Sequence, residues 1–369
     1  MAITVEEKFE SPVIQTGSRA FVERRYLILG SDDPQEVRDE LLAETYHHSL
    51  AFVYSREEFV EQVDMHTARI EALFGVTPRV FRNTELIYNN DLAHFVNGMK
   101  DASGGPRFRG ALTEGVESVL RGRTPDLVYR PPHTGVGYGG RPFALLLKNH
   151  RLSDDIAFRF ANRSWSEWPL TPQKFARWID GINDAGVGGG AASGAVPEAQ
   201  ERVCCLFMDS ETFGEHHWED TGVLRFLDEL PGAVLEAGAG RNDFCTPSEA
   251  FDRFEARAVY DAPAMISWAD TERDLSAWLG NAMQSNALYE LHKLERRIRR
   301  AAAIDPAEAA GLLQDWRRLT TSDHFYFMCT KESGDGAVHR YFSPYESPYE
   351  SYINFMNVLD NLRTRVGAV

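Results

Sequence analysis

The stretch Val203-Cys-Cys-Leu-Phe-Met-Asp-Ser-Glu-Thr-Phe-Gly-Glu-His-His-Trp218 decides the fold. Its apolar residues run without a break from Val203 to Met208 and stop at Asp209, with Glu211 just beyond. A short unbroken apolar run is the pattern of a strand buried on both faces, as in a parallel sheet. Such a strand delivers the residues at its carboxy end to a site. The stretch Pro78-Arg-Val-Phe-Arg-Asn-Thr-Glu85-Leu-Ile-Tyr88 repeats the pattern, with Glu85 as the acid.

Working outward, residues 108–113 and Ala144–Lys148 read as further strands, and 25–30 as another short one. Residues 39–44 also read as a strand, and a period of two places Glu40, Leu42 and Glu44 on one face. Between these lie helical patterns. The spacing of Phe59, Val63, Ile70 and Phe74 predicts a helix over 55–74, with Ser55 as N-cap, Glu58 in the first turn and Gly75 ending it. Helices are also predicted near 91–99, 174–182 and 219–230. Short strands alternating with helices predict an α/β fold with a parallel sheet. Residues 131–140 and 185–200 are rich in Gly, Ala and Pro and read as loops, the second as a surface insertion. Beyond Trp268 the pattern turns helical, over 273–300, 307–319 and 349–365, with one short strand at 339–342. The expected organisation is an atypical segment 1–35, a catalytic α/β domain 36–270 and a helical domain 271–369.

With 369 residues, 43% of them hydrophobic, the chain can bury a large core. A net charge of −16 repels nucleic acid and anionic membrane surfaces, so neither is expected as a partner. The four cysteines (204, 205, 245 and 329) form no Cys-x-x-Cys pair, which argues against zinc and against a disulfide framework. Cys204 and Cys205 are adjacent and point to opposite faces of a strand. No basic leader with an apolar core opens the sequence and no apolar run reaches spanning length. The expectation is a cytoplasmic protein. His47-His48 and His216-His217 lack a third ligand at diagnostic spacing, so no metal and no cofactor is expected.

Two acids at strand ends suit glycosidic-bond chemistry, in which one protonates the leaving oxygen and the other attacks or activates water. Glu85 is the nucleophile candidate, with Arg82 close in sequence to keep it ionised. The competing reading is a surface glutamate that closes a strand and pairs with Arg82. Asp209 is the acid/base candidate, and Glu211 beside it would favour its protonated form. The competing reading is that one of these two caps the helix at 219–230. Trp165, Trp168, Trp218, Trp268, Tyr88 and Tyr326 offer rings on which the apolar face of a sugar could stack, or else ordinary packing.

The segments Leu42-Ala-Glu-Thr-Tyr-His-His-Ser-Leu50, Val80 to Tyr88, Leu152-Ser-Asp-Asp-Ile-Ala-Phe158, Leu206 to His216, Ile266-Ser-Trp-Ala-Asp-Thr-Glu-Arg-Asp274 and Thr321-Ser-Asp-His-Phe-Tyr326 follow one another in the order expected of a known family. By these motifs the sequence resembles glycoside hydrolase family 57, in its α-amylase-like branch. The resemblance implies an incomplete (β/α)7 barrel followed by a carboxy-terminal helical bundle. It implies retaining chemistry on α-1,4-glucans or maltooligosaccharides without a metal. It places the nucleophile on Glu85 and the acid/base on Asp209, with Glu40, Glu44, His47, Glu211, Trp268 and Asp270 as substrate-binding candidates. Glucan transfer or branching by the same acids, or glucan binding without catalysis, are the alternatives. The family opens with a strand ending in His-Gln-Pro. Here no His-Gln-Pro occurs, no histidine precedes His47, and Val37-Arg-Asp-Glu40 replaces the glycine-bearing second motif. A shortened or diverged amino terminus is therefore expected.

Overall fold

The structure, a computed structural model, describes residues 2–6, 40–184, 202–256, 258–304, 306–331 and 343–368. The strands expected at 25–30 and 339–342 and the insertion at 185–200 lie outside the described residues. The chain is mixed α/β and divides into two compact units. One comprises Met1–Leu41 and Ala93–Asp261, the other Leu42–Leu92 and Ala262–Val369. The described strands are β1 (Ala2–Glu6), β2 (Val80–Arg82), β3 (Gly110–Glu114), β4 (Val128–Arg130), β5 (Ala144–Lys148), β6 (Cys205–Asp209) and β7 (Ala258–Val259).

In the first unit β1 runs parallel to β6, in register from Ala2 against Cys205 to Glu6 against Asp209. Strand β6 meets β5 in parallel where Lys148 faces Cys205. Strand β5 is parallel to β3 over its whole length, Gly110 to Ala144 and Glu114 to Lys148. At Gly110 a Cβ would lie 2.2 Å from the Ala144 carbonyl oxygen and 2.8 Å from the Phe251 ring, so only glycine permits this approach. The parallel expectation fails at β4, which is antiparallel to β5 and parallel to β7. Cys204, Leu206 and Met208, alternating along and just before β6, share a core with helices His150–Ala157, Pro172–Gly181 and Val223–Gly238. The helix expected over 219–230 is a 3₁₀ turn at Glu219–Thr221, then a helix that begins only after Gly222. Gly222 stands at φ 82°, a left-handed conformation that interrupts the helix.

In the second unit the helix Arg56–Phe74 forms as its sequence predicts. The Ser55 side chain accepts from the Glu58 N–H, and Gly75 closes it at φ 71°. Residues 40–44 make no strand. Ala43 forms one parallel bridge to Phe81, and the division between the units falls at Leu41 and Leu42. Strand β2 is only three residues long and offers little to pair with. The helices Ala282–Ile304, Pro306–Arg318, Ser322–Tyr326 and Pro348–Ala368 surround a core containing Trp278, Leu288, Leu291, Trp316, Phe325 and Leu359. The indole N–H of Trp316 donates to the Leu291 carbonyl (2.8 Å), which satisfies a polar atom in an apolar setting. The helix expected over 273–300 is two, Ser276–Leu279 and Ala282–Ile304. Asn281 accepts from the Gln284 N–H (3.0 Å), while Gln284 accepts from the Asn281 N–H (3.0 Å), a reciprocal cap that starts the second.

Among the described residues no helix is long and apolar enough to cross a membrane, and no group of three metal-binding side chains occurs.

Candidate active site

In the second unit, β2 ends at Arg82 and the chain turns sharply through the 3₁₀ segment Thr84–Leu86. Glu85 stands at φ 56° and Leu86 at φ 50°. Left-handed conformations are costly for residues with a Cβ and persist only where surrounding contacts enforce them. Here those contacts are on both oxygens of the Glu85 carboxylate. Oε1 accepts from Nε2 of His48 (2.9 Å) and Oε2 accepts from Nε1 of Trp268 (2.6 Å). His48 is itself at φ 48°. Glu85 is 8% exposed, so both bonds form largely away from water. Two donors on one buried carboxylate fix its direction.

At the end of β2, Arg82 Nη2 pairs with Glu44 Oε2 at 2.7 Å, both side chains buried. His66 adjoins the pair. The Glu44 backbone N–H donates to His66 Nδ1 (3.4 Å), which requires that nitrogen to be unprotonated. Burial, and then the positive charge of Arg82, lower the His66 pKa to about 4. His66 is therefore a neutral neighbour of Glu44 near pH 7 rather than its ionic partner, although its Nε2 lies 3.8 Å from Oε1. The hydroxyls of Thr45 and Thr84 are hydrogen-bonded (2.6 Å), tying the turn of His48 to the turn of Glu85. Thr45 also accepts from the Ser49 N–H (3.0 Å).

Trp268 lies in a tight loop. The Ser267 N–H donates to the Arg273 carbonyl (3.0 Å), and Arg273 Nη1 donates back to the Trp268 carbonyl (2.5 Å). Asp270 and Arg273 are both at φ 54°. Asp270 pairs with Lys331 Nζ at 2.8 Å.

In the first unit β6 delivers Asp209, half-buried, at its carboxy end. The chain beyond it is knit by its own backbone. The N–H groups of Glu215 and His216 donate to the Glu211 carbonyl (3.1 and 2.8 Å), and that of His217 donates to the Thr212 carbonyl (3.2 Å). His217 Nε2 reaches the carbonyls of Ile156 and Ala157 (3.1 and 3.0 Å), fixing the loop to the end of helix His150–Ala157. Glu211 Oε2 accepts from the Ser210 hydroxyl (3.1 Å). Burial lowers the His216 pKa against the opposing pull of Glu211 and Glu215.

The expected residues thus fall in two groups. The structure brings Glu85 and Trp268 into direct contact, with Asp270 in the same loop. Glu44 pairs with Arg82, three residues before Glu85. Of the two adjacent histidines it is His48, not the substrate-binding candidate His47, that makes the bond to Glu85. The His47 backbone N–H donates to Gln62 (3.3 Å), and its buried Nε2 has no hydrogen-bond partner among the described residues. Burial first, with Arg317 and Arg318 adding to it, lowers its pKa to about 4. Asp209 and Glu211 lie together after β6. Glu40 accepts from the backbone N–H and the hydroxyl of Ser248 (2.6 and 2.5 Å), so its carboxylate caps the start of helix Pro247–Arg253. Sequence reading missed a buried trio in the first unit. Lys148 Nζ lies 3.4 Å from Glu114 and 3.3 Å from Asp154. Only the register of β3 against β5 brings Glu114 to Lys148, and no local spacing signals it.

Comparisons with known proteins agree with this architecture. The sequence model of Glycosyl hydrolase family 57 matches residues 35–263. A relative named "Putative alpha-amylase", from Methanocaldococcus jannaschii, is 38% identical over 328 residues, which is 87% of this chain. The chain spans 62% of that relative's length. Among solved structures, a GH57-type branching enzyme from Pyrococcus horikoshii superposes with TM-score 0.60 at 15% identity, covering 89% of this chain and 69% of that one. A 4-alpha-glucanotransferase from Thermococcus litoralis superposes with TM-score 0.55 at 13% identity, covering 85% and 47%. At such identities these two show likeness of fold alone. The family match covers most of the chain, and the M. jannaschii relative is similar over nearly all of it. The chain belongs to glycosyl hydrolase family 57.

Proposed function

We propose that the chain is a retaining glycoside hydrolase of the α-amylase type acting on α-1,4-glucans, with Glu85 as nucleophile and Asp209 as acid/base. In this reading the architecture is an incomplete (β/α)7 barrel followed by a carboxy-terminal helical bundle. A Glu85 oxygen attacks the anomeric carbon as the glycosidic C–O bond breaks, and Asp209 gives its proton to the departing oxygen. Water then attacks the same carbon, returns a proton to Asp209 and releases the Glu85 carboxylate. The observation that carries the reading is the setting of Glu85. A buried carboxylate, on a backbone in a costly conformation, takes one donor on each oxygen. A glutamate that merely closed a strand would need none of this. The half-buried position of Asp209 suits a group that must exchange protons with solvent.

The test is sugar release from soluble starch and maltooligosaccharides by the purified chain, with Glu85→Gln as control. Release with retained anomeric configuration, abolished in the variant, supports the reading. Transfer of a glucan segment to a second glucan, with little free sugar, assigns the same acids to a transferase. A folded chain that binds glucan equally well with or without Glu85, and releases nothing, overturns catalysis.

A further inference from the structure

The contact between Trp268 and Glu85 depends on a loop that is tied by hydrogen bonds of its own, such as Ser267 Oγ to the Asp274 carbonyl (2.6 Å) and the Ala269 N–H to Ser267 Oγ (3.2 Å), and by a side chain from much later in the chain. Between Ser267 and Ser276 the chain forms no strand and only enters a helix at Ser276. Two of its residues, Asp270 and Arg273, carry left-handed backbones, which isolated chains disfavour. Yet this loop presents Trp268 to Glu85 twice, by its indole N–H to Oε2 (2.6 Å) and by its backbone N–H to the Glu85 carbonyl (3.3 Å). A loop with two left-handed residues gains from a tie outside it, beyond the hydrogen bonds within it.

Lys331 supplies that tie. Its ammonium donates to Asp270 Oδ2 (2.8 Å), Glu272 Oε2 (3.1 Å) and the Ser276 hydroxyl (2.7 Å). An ammonium has three donors, and here each meets a different residue of the loop. One end of the clamp holds Asp270, at a left-handed position, and the other holds Ser276, where the helix begins. Lys331 follows Cys329, a buried residue, so the clamp is attached to the core of its unit.

We infer that Lys331 is a positioning residue, holding the 267–276 loop so that Trp268 keeps its hydrogen bond to Glu85. It makes no hydrogen bond to the Glu85 carboxylate and acts through Asp270, itself a substrate-binding candidate, Glu272 and Ser276. The consequence for turnover rests on the reading of Glu85 as nucleophile. The consequence for the Trp268 contact does not.

The experiment therefore has two readouts on the full chain. The first is the indole N–H resonance of Trp268 in protein labelled at tryptophan, assigned by its loss in Trp268→Phe. A hydrogen bond to a carboxylate places it downfield. In Lys331→Met it should move toward the position of a water-exposed indole, and Lys331→Arg, which keeps a cation beside the two acids, should restore it. The second readout is steady-state kinetics on maltooligosaccharides. Lys331→Met should lower kcat by about tenfold, because small misplacements around a reacting group are costly, with KM changed by less than about twofold. An unmoved indole resonance in Lys331→Met overturns the proposal whatever the kinetics show. If Lys331→Met fails to fold, the double variant Glu272→Gln/Ser276→Ala removes two of the three partners and must move the resonance for the proposal to stand. A moved resonance together with full activity in Glu85→Gln leaves the clamp in place and removes the nucleophile assignment.

Discussion

Glu85 and Asp209 both follow short apolar strands, yet their surroundings differ in kind. Glu85 is held through side chains brought from distant parts of its unit, on a backbone that must be forced. Asp209 sits at the end of a regular strand, at φ −65°, and the loop after it is organised by its own backbone hydrogen bonds. The contrast matches what the two proposed roles demand. A nucleophile must be aimed, and aiming a buried carboxylate takes donors on fixed scaffolds. A proton donor needs access and the right protonation state more than a rigid bearing.

The largest expected effect separates the two acids. Glu85→Gln should abolish starch cleavage, with turnover falling below detection. Asp209→Asn should lower turnover by about 10²–10⁴-fold and leave a residue of activity on substrates with good leaving groups. Equal loss on all substrates would erase the distinction.

Next in size are the buried charges of each unit. Arg82→Met removes the 2.7 Å ionic partner of Glu44, and Lys148→Met removes the ammonium shared by Glu114 and Asp154. Each should cost about 3–5 kcal/mol in urea unfolding, because removing one partner of a buried ion pair is expensive. Lys148→Met should be the worse, since its ammonium serves two buried acids at once. A smaller loss in Lys148→Met than in Arg82→Met would break this ordering.

Acid should distinguish the units more gently. His47, His66 and His292 belong to the second unit, and burial lowers each to about 4 from an ordinary 6.5. Between these values the unfolded chain binds more protons than the folded one, so stability falls as pH drops from 6.5 to 4. The cost is on the order of 3 kcal/mol per histidine at the acid end. In the first unit Glu40, Asp126 and Asp155 are raised by burial. They bind protons more readily when folded and so oppose the trend. Glu58 does the same within the second unit, where it softens the loss. Hydrogen exchange at pH 5 and pH 7, corrected for intrinsic rates, should show protection lost first in the second unit. Uniform loss across both would contradict the assignment. The smallest effect is Glu40→Gln, which should cost about 1 kcal/mol, confined to the first unit and with KM unchanged. A rise in KM would return Glu40 to the substrate.

Reading from sequence succeeded where a signal was local. Ala144–Leu147 is an uninterrupted apolar run closed by Lys148, and the stretch is β5 to the residue. Ser55, Glu58 and Gly75 mark the ends of their helix through backbone hydrogen bonds that short spacing encodes. It failed where pairing is long-range. Val128–Arg130 has only three residues, too few for a period, and becomes a strand by lying against β5. Ala2–Glu6 is too short and mixed to signal a strand and is paired along its length with β6. The site shows the same division. Glu85 and Trp268 stood out by motif, whereas His48 could not be told from His47, because adjacent residues differ only in the turn that carries them. Lys331 lies in a stretch with no pattern, and its partners Asp270 to Ser276 are over fifty residues earlier.

The hydrogen bond from Trp268 to Glu85 joins positions 183 residues apart. At ribosomal speeds of about 5–20 residues per second, Trp268 is made roughly 10–40 s after Glu85. During that interval Arg82 already has Glu44, made before it, but the carboxylate beside it lacks its indole donor. The second unit thus begins as Leu42–Leu92 and is finished only after the whole of Ala93–Asp261 has been synthesised. Translation itself therefore separates the two acids in time. Asp209 and its unit are complete in sequence before the surroundings of Glu85 can be assembled.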